Sequence, residues 1–191
     1  MGRIWQSSGG RVYVGEERGS ALLEFAITLP ILVVFLVGIY DFSGAFIQQQ
    51  KLEQAAEEGA IVAGAQPMSD LVPVLGKQSN PDSLQPVVAA IVNSLVGANI
   101  IATGSCVLPG NGSPNGVQWT YTFSGCPLTI IINRGLVVGG TTSNVVAGLG
   151  TSVTVQYPYQ WHFNSVIQLL SGSQFNLPIN LSETAVVHNQ S

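Results

Sequence analysis

Charge is what this chain has least of. Only 8 % of its 191 residues are Asp, Glu, Lys or Arg, against ~25 % in ordinary soluble proteins. Its surface must therefore be polar but mostly uncharged, built from the plentiful Gly, Ser, Thr, Asn and Gln. The 6 Lys and Arg are scattered and the net charge is −4, so there is no basic stripe to neutralise phosphates and no nucleic-acid partner is expected. Short motifs with known mechanics are missing too: no Gly-x-Ser-x-Gly, no His-Glu-x-x-His, no Walker loop and no Cys-x-x-Cys. No catalytic residue and no cofactor is expected from such a chain. Metal ligands are equally sparse. His162 and His188 have no Cys, Asp or Glu at ligand spacing, and Asp70 and Asp82 flank a Pro-rich loop without the clustered oxygens that calcium requires. The two acids read as solvated loop residues, and no metal site is expected. The length allows one membrane segment and one modest domain.

Cysteine is nearly absent as well, with 2 in the chain. Cys106 and Cys126 both lie beyond the apolar N-terminal stretch, beside turn-forming Gly and Pro. An even number in an exported setting reads as one disulfide.

What the chain does have is a long apolar run. From Ala21 to Tyr40 only Glu24 is charged, and twenty helical residues at ~1.5 Å each match the ~30 Å hydrocarbon core of a bilayer. A lone carboxylate one turn inside such a helix costs on the order of 3 kcal/mol to insert unless it finds a partner or stays near the interface. Cleavage between Gly19 and Ser20 would create that partner. The new α-amine on Ser20 would sit four residues before Glu24, and the amine of a neighbouring copy could meet the carboxylate as helices assemble side by side.

A polar leader ending in Gly19, followed by Ser20 and by Glu24-Phe25 at the fifth and sixth mature positions, resembles the type IV prepilin processing signature. Glu24-Phe25-Ala26, then Pro30, then Gly38-Ile39-Tyr40-Asp41 is similar to the TadE/TadG-like proteins of tight-adherence (Tad, Flp) pilus systems. The likeness spans Glu17 to about Ala65 and is loose beyond. Where such proteins often continue Ala-Ala-x-x-Gly-Ala-Arg, this chain has Ala55-Ala56-Glu57-Glu58-Gly59-Ala60-Ile61, without the Arg. The resemblance implies a pilin-like subunit cut after Gly19 by a prepilin peptidase, with partners among other pilin subunits and the Tad inner-membrane machinery. It also implies a process of pilus assembly and adhesion and a place in the bacterial inner membrane or on a surface pilus.

Residues 1–19 read as a disordered cytoplasmic leader. Arg3, Arg11 and Arg18 precede the apolar run and only Lys51 follows closely, so the positive-inside rule puts the N-terminus in the cytoplasm and the rest outside. Ser43-Gly44-Ala45 offers the rival reading of signal-peptide cleavage, which would release a secreted surface-binding module, an adhesin or glycan binder. Against it, the helical pattern continues through Ala45. Phe42, Phe46, Leu52, Ala56 and Ala60 recur about every four residues, extending the membrane helix to Ala65 as an amphipathic helix. Pro30 should kink or locally melt that helix, and Gly38, Gly44, Ala45, Gly59 and Gly64 would let packed helices approach closely in a bundle.

Residues 66–191 read as an extracytoplasmic α+β domain with a mainly antiparallel sheet and one or two short helices. The stretch 66–82 is a linker. Gln85 to Val96 is a helix with Pro86 in its first turn and Gly97 past its end, and 109–116 is a loop by composition. Strands are expected at Val117–Phe123, Leu128–Ile132, Thr151–Tyr157 and Leu181–Val187, and a further short helix at Asn164–Leu170. The aromatics Trp119, Tyr121, Tyr157, Tyr159 and Trp161 are expected in the core and in cross-strand pairs.

Overall fold

The computed structural model describes residues 16–71, 81–138, 148–161 and 179–190. It is an α+β fold: a long N-terminal helix, a short second helix, and a small antiparallel sheet. Helix α1 runs without a break from Glu16 to Ala65, 50 residues. It therefore starts before Gly19, and the last residues of the expected leader are helical. Nor does the helix melt at Pro30, because the missing N–H removes one rung while the flanking i to i−4 bonds persist. Nearby, the Thr28 hydroxyl donates back to the Glu24 carbonyl at 2.7 Å.

Helix α2, Gln85–Gly97, begins with Pro86 in its first turn, where the absent N–H would be unpaired anyway. Gly97 is its last residue rather than the stop signal. The left-handed position is taken by Asn99, φ 61°, and Ile100 N–H closes the end on the Leu95 carbonyl at 3.0 Å. Asn tolerates that conformation better than most side chains. Val87, Val88, Ile91 and Leu95 form its buried stripe at the spacing of one helical face.

Five strands follow in meander order: β1 Ser113–Asn115, β2 Gln118–Thr122, β3 Thr129–Val138, β4 Gly148–Tyr159 and β5 Ile179–His188. β1 falls in the stretch expected to be loop; it is a three-residue edge paired to β2. The long strands exceed the sequence-based bounds at both ends of β4 and at the far end of β3. Period-two exposure puts alternate residues on one face, and the register aligns them into rows. Trp119, Ile132, Val153 and Ala185 make one row; Tyr121, Ile130, Val155 and Glu183 make the next. Both aromatics on β2 are buried in the core, as the alternation predicted. The Tyr121 hydroxyl is buried with no hydrogen-bond partner among the described residues, and burial pushes its pKa up to about 12. The opposite face carries Thr120, Ile131, Thr154 and Thr184 in register, with Thr154 and Thr184 hydroxyls 2.7 Å apart. The helix expected at Asn164–Leu170 lies outside the described residues.

Helices α1 and α2 cover the inner face. Leu52, Ala55, Ala56, Ala60 and Ala63 of α1 are buried, a stripe of small residues that brings the helix close to the sheet. Gly59 lets α2 approach α1, and Gly64 lets β5 do so. A Cβ on Gly59 would lie 2.5 Å from Ile91 Cγ1, and one on Gly64 2.8 Å from Val187 Cγ1.

Cys106 and Cys126 form a disulfide, Cα–Cα 5.2 Å. It ties the segment after α2 to the β2–β3 connection, beside an isolated bridge between Val107 and Ser124. Gly125 turns the chain there at φ +88°, and a side chain at this position would meet the Ser105 carbonyl. In the chain-entropy account a loop of this size contributes about 3 kcal/mol. The Cys106→Ser, Cys126→Ser double variant should therefore lose about that much stability in a denaturant melt of the detergent-solubilised protein. A loss below about 0.5 kcal/mol would show that the bridge is not structural.

Candidate functional site

The helix divides into two functional parts according to what covers it. From Gly19 to Tyr40 nearly every residue faces outward: Leu22 is 71 % exposed, Phe25 62 %, Phe35 68 % and Tyr40 70 %. An 18-residue window in this helix has mean hydropathy 2.6 and none of it is buried in the fold. That combination separates it from the core helix of a soluble domain, which would be covered, and suggests a membrane anchor. Gly19, Ser20 and Glu24 all stand exposed on this stalk. A Cβ on Gly19 would meet nothing within 4 Å, so this position is free of the fold. Ser20 and Glu24 are four apart on one continuous helix and thus share a face.

Where the span ends, the domain grips the helix. Asp41 is buried, 1 % exposed, and the Tyr159 hydroxyl at the end of β4 donates to the Asp41 carbonyl at 3.0 Å. Burial first, then Asp41 and Tyr40, raise the pKa of Tyr159. Gly44 admits the tyrosine: a Cβ there would lie 2.7 Å from Tyr159 Oη. Trp161 packs edge-on against Tyr159 at 5.0 Å and against Phe42 at 5.5 Å between ring centroids. A groove follows, lined by Phe42, Phe46, Tyr159, Trp161, Ile179 and Leu181, with a volume of about 170 Å³. The amphipathic stripe read from the sequence is therefore split: Leu52, Ala56 and Ala60 are core, whereas Phe42 and Phe46 remain 60 % and 64 % exposed.

Residues 19–60 match the family model of TadE-like proteins. The long helix is TadE-like. No curated protein and no solved structure gives a match to the chain. The matched residues run along the TadE-like helix from the cleavage candidate to the stripe that seats the sheet, and the sheet itself lies outside them.

At the C-terminal end of the TadE-like helix lies a residue that composition alone did not single out. Arg134 is fully buried, and its Nη2 donates to the Gln66 carbonyl at 2.8 Å, just past the end of α1. A cation at a helix C-terminus meets the negative end of the macrodipole. Lys51 does the same for α2, donating from Nζ to the Ala98 carbonyl at 2.7 Å. Burial lowers the Arg134 pKa, and Asp70 opposes the shift. Asp70 is accordingly not a solvated loop acid. One of its oxygens accepts the Ser83 N–H at 2.8 Å and the other is buried with no hydrogen-bond donor among the described residues, whereas Asp82 is exposed. The available signal was alternation: Ile130, Ile132 and Arg134 share a strand face, but three successive isoleucines obscure which face is inner. His188 closes β5, and His162 lies outside the described residues.

Proposed function

We propose that this chain is a pilin-like, non-enzymatic component of a Tad-type pilus or related secretion apparatus. It is made as a precursor with its N-terminus in the cytoplasm, cut between Gly19 and Ser20 by a prepilin peptidase, and assembled through its N-terminal helix, serving pilus assembly and adhesion. The observation that carries this reading is the TadE-like match on a helix whose apolar half projects uncovered from the fold with Glu24 near its start. Each residue then has a defined task. Gly19 lets the peptidase approach the backbone, Ser20 supplies the new amine, and Glu24 supplies the charge that sets register against a neighbour. A disulfide in the domain agrees with an oxidising, extracytoplasmic compartment.

Mass-spectrometric sequencing of the mature N-terminus tests it. A terminus at Ser20 that vanishes when the peptidase is deleted is the expected result. An intact Met1 would remove the processing step, and a terminus at Phe46 would favour an exported binding module. Against that last outcome, cleavage after Ala45 would cut inside α1, immediately beyond the Gly44 contact that seats Tyr159.

A further inference from the structure

We propose that the aromatic groove at the foot of the domain is a phospholipid seat, holding the domain down on the glycerol and upper-chain layer of the bilayer that α1 crosses. The proposal rests on the membrane-anchoring reading and adds where the domain sits and what fills the groove. Depth carries it. If Ala21 to Tyr40 fill the hydrocarbon core, Phe42 and Phe46 stand only roughly 3 to 9 Å beyond its edge. The headgroup layer is itself about 5 to 8 Å thick on each side, so the Phe42 end of the groove opens inside it and Phe46 stands at its outer edge.

The domain cannot lift the groove out of this layer without letting go of the helix. Tyr159 is bonded to the Asp41 carbonyl, and Trp161 packs on Phe42. The lining is chemically suited to lipid. Among the described residues it contains no ionised side chain; its members are aromatic and aliphatic apart from Gln49, whose amide is engaged with Glu183 at 2.6 Å. Ile39, Tyr40, Phe42, Phe46 and Ile47 form a continuous exposed apolar path from the span to the groove, each more than half exposed. Tyr and Trp with an apolar body and a polar tip prefer this interfacial zone.

The full-length protein is reconstituted in phosphatidylcholine vesicles carrying bromine either near the headgroup or near the chain ends. Tryptophan quenching is then compared with that of Trp161→Phe, so that the difference reports Trp161 alone. The expected result is shallow-bromine quenching of the Trp161 signal at least about threefold stronger than deep-bromine quenching. A Leu32→Trp, Trp161→Phe variant places a reporter in the span and is expected to be quenched most by the deep bromines. If Leu32→Trp behaves so and the Trp161 signal is untouched by either lipid, the seat is wrong while the anchor stands. If Leu32→Trp is not quenched, the anchor fails and the seat with it. Trp161 emission that follows the protein-to-lipid ratio but not bromine position would assign the groove to a second copy of the chain and overturn the lipid seat.

Discussion

Alanine at Glu24 is expected to leave membrane insertion and processing intact while cutting incorporation into an assembly by at least about a hundredfold. The side chain stands on the uncovered part of α1, so its removal disturbs nothing in the fold. Insertion should if anything improve, because a carboxylate near the start of the span costs on the order of 3 kcal/mol. Assembly is different. Once helices meet in a low-dielectric bundle, the α-amine of Ser20 in one copy needs a counter-charge in the next. Removing one member of a buried ion pair costs about 3–5 kcal/mol, mostly from the charge left behind. Co-purification of a tagged Glu24→Ala chain with wild-type subunits reads the effect, with Glu24→Gln separating charge from side-chain size. Incorporation at the wild-type level would exclude the pairing role.

The second large effect is expected at Arg134. Arg134→Ala should destabilise the domain by about 3 kcal/mol, measured as a shift in the denaturation midpoint of the detergent-solubilised chain. Three losses add. The Gln66 carbonyl at the end of α1 loses its donor at 2.8 Å, a cavity opens where a fully buried side chain stood, and the buried oxygen of Asp70 loses its nearby cation. Arg134→Met keeps most of the volume and should recover the packing share alone. If Arg134→Ala melts within about 0.5 kcal/mol of wild type, the guanidinium does not hold the end of the helix to the sheet. The result matters for function because α1 links span to domain, and a loose outer end would let the two move independently.

Some elements were legible because their physics is local. The apolar span needs only length and hydropathy, and α2 shows itself by Pro86 in its first turn and Gly97 at its end. β2 shows itself by the unbroken alternation from Val117 to Phe123. β3 was found only in part, since Ile130-Ile131-Ile132 has no period and its continuation through Arg134 and Gly135 passes an irregular register between Asn133 and Leu136. β1 was missed because three residues rich in turn-formers become a strand only when β2 lies alongside. The glycines were noted, but their neighbours within the chain were not legible. Small residues signal close approach without saying to what, and here Gly44, Gly59 and Gly64 meet Tyr159, Ile91 and Val187 of the same chain.

Sequence by itself determined that this protein has one apolar span with a single acid in it, a polar and weakly charged α+β domain beyond, and one pair of cysteines. Those are matters of composition and short-range period, which any one stretch of chain carries alone. Only the tertiary structure decided which half of α1 is covered and which stands free, that Asp41 and Tyr159 fasten the domain where the apolar stretch ends, and that Arg134 is sealed beneath the end of the helix. These depend on residues 68 to 118 positions apart meeting in space, and burial is a property of both partners at once, so neither partner's local sequence could announce it.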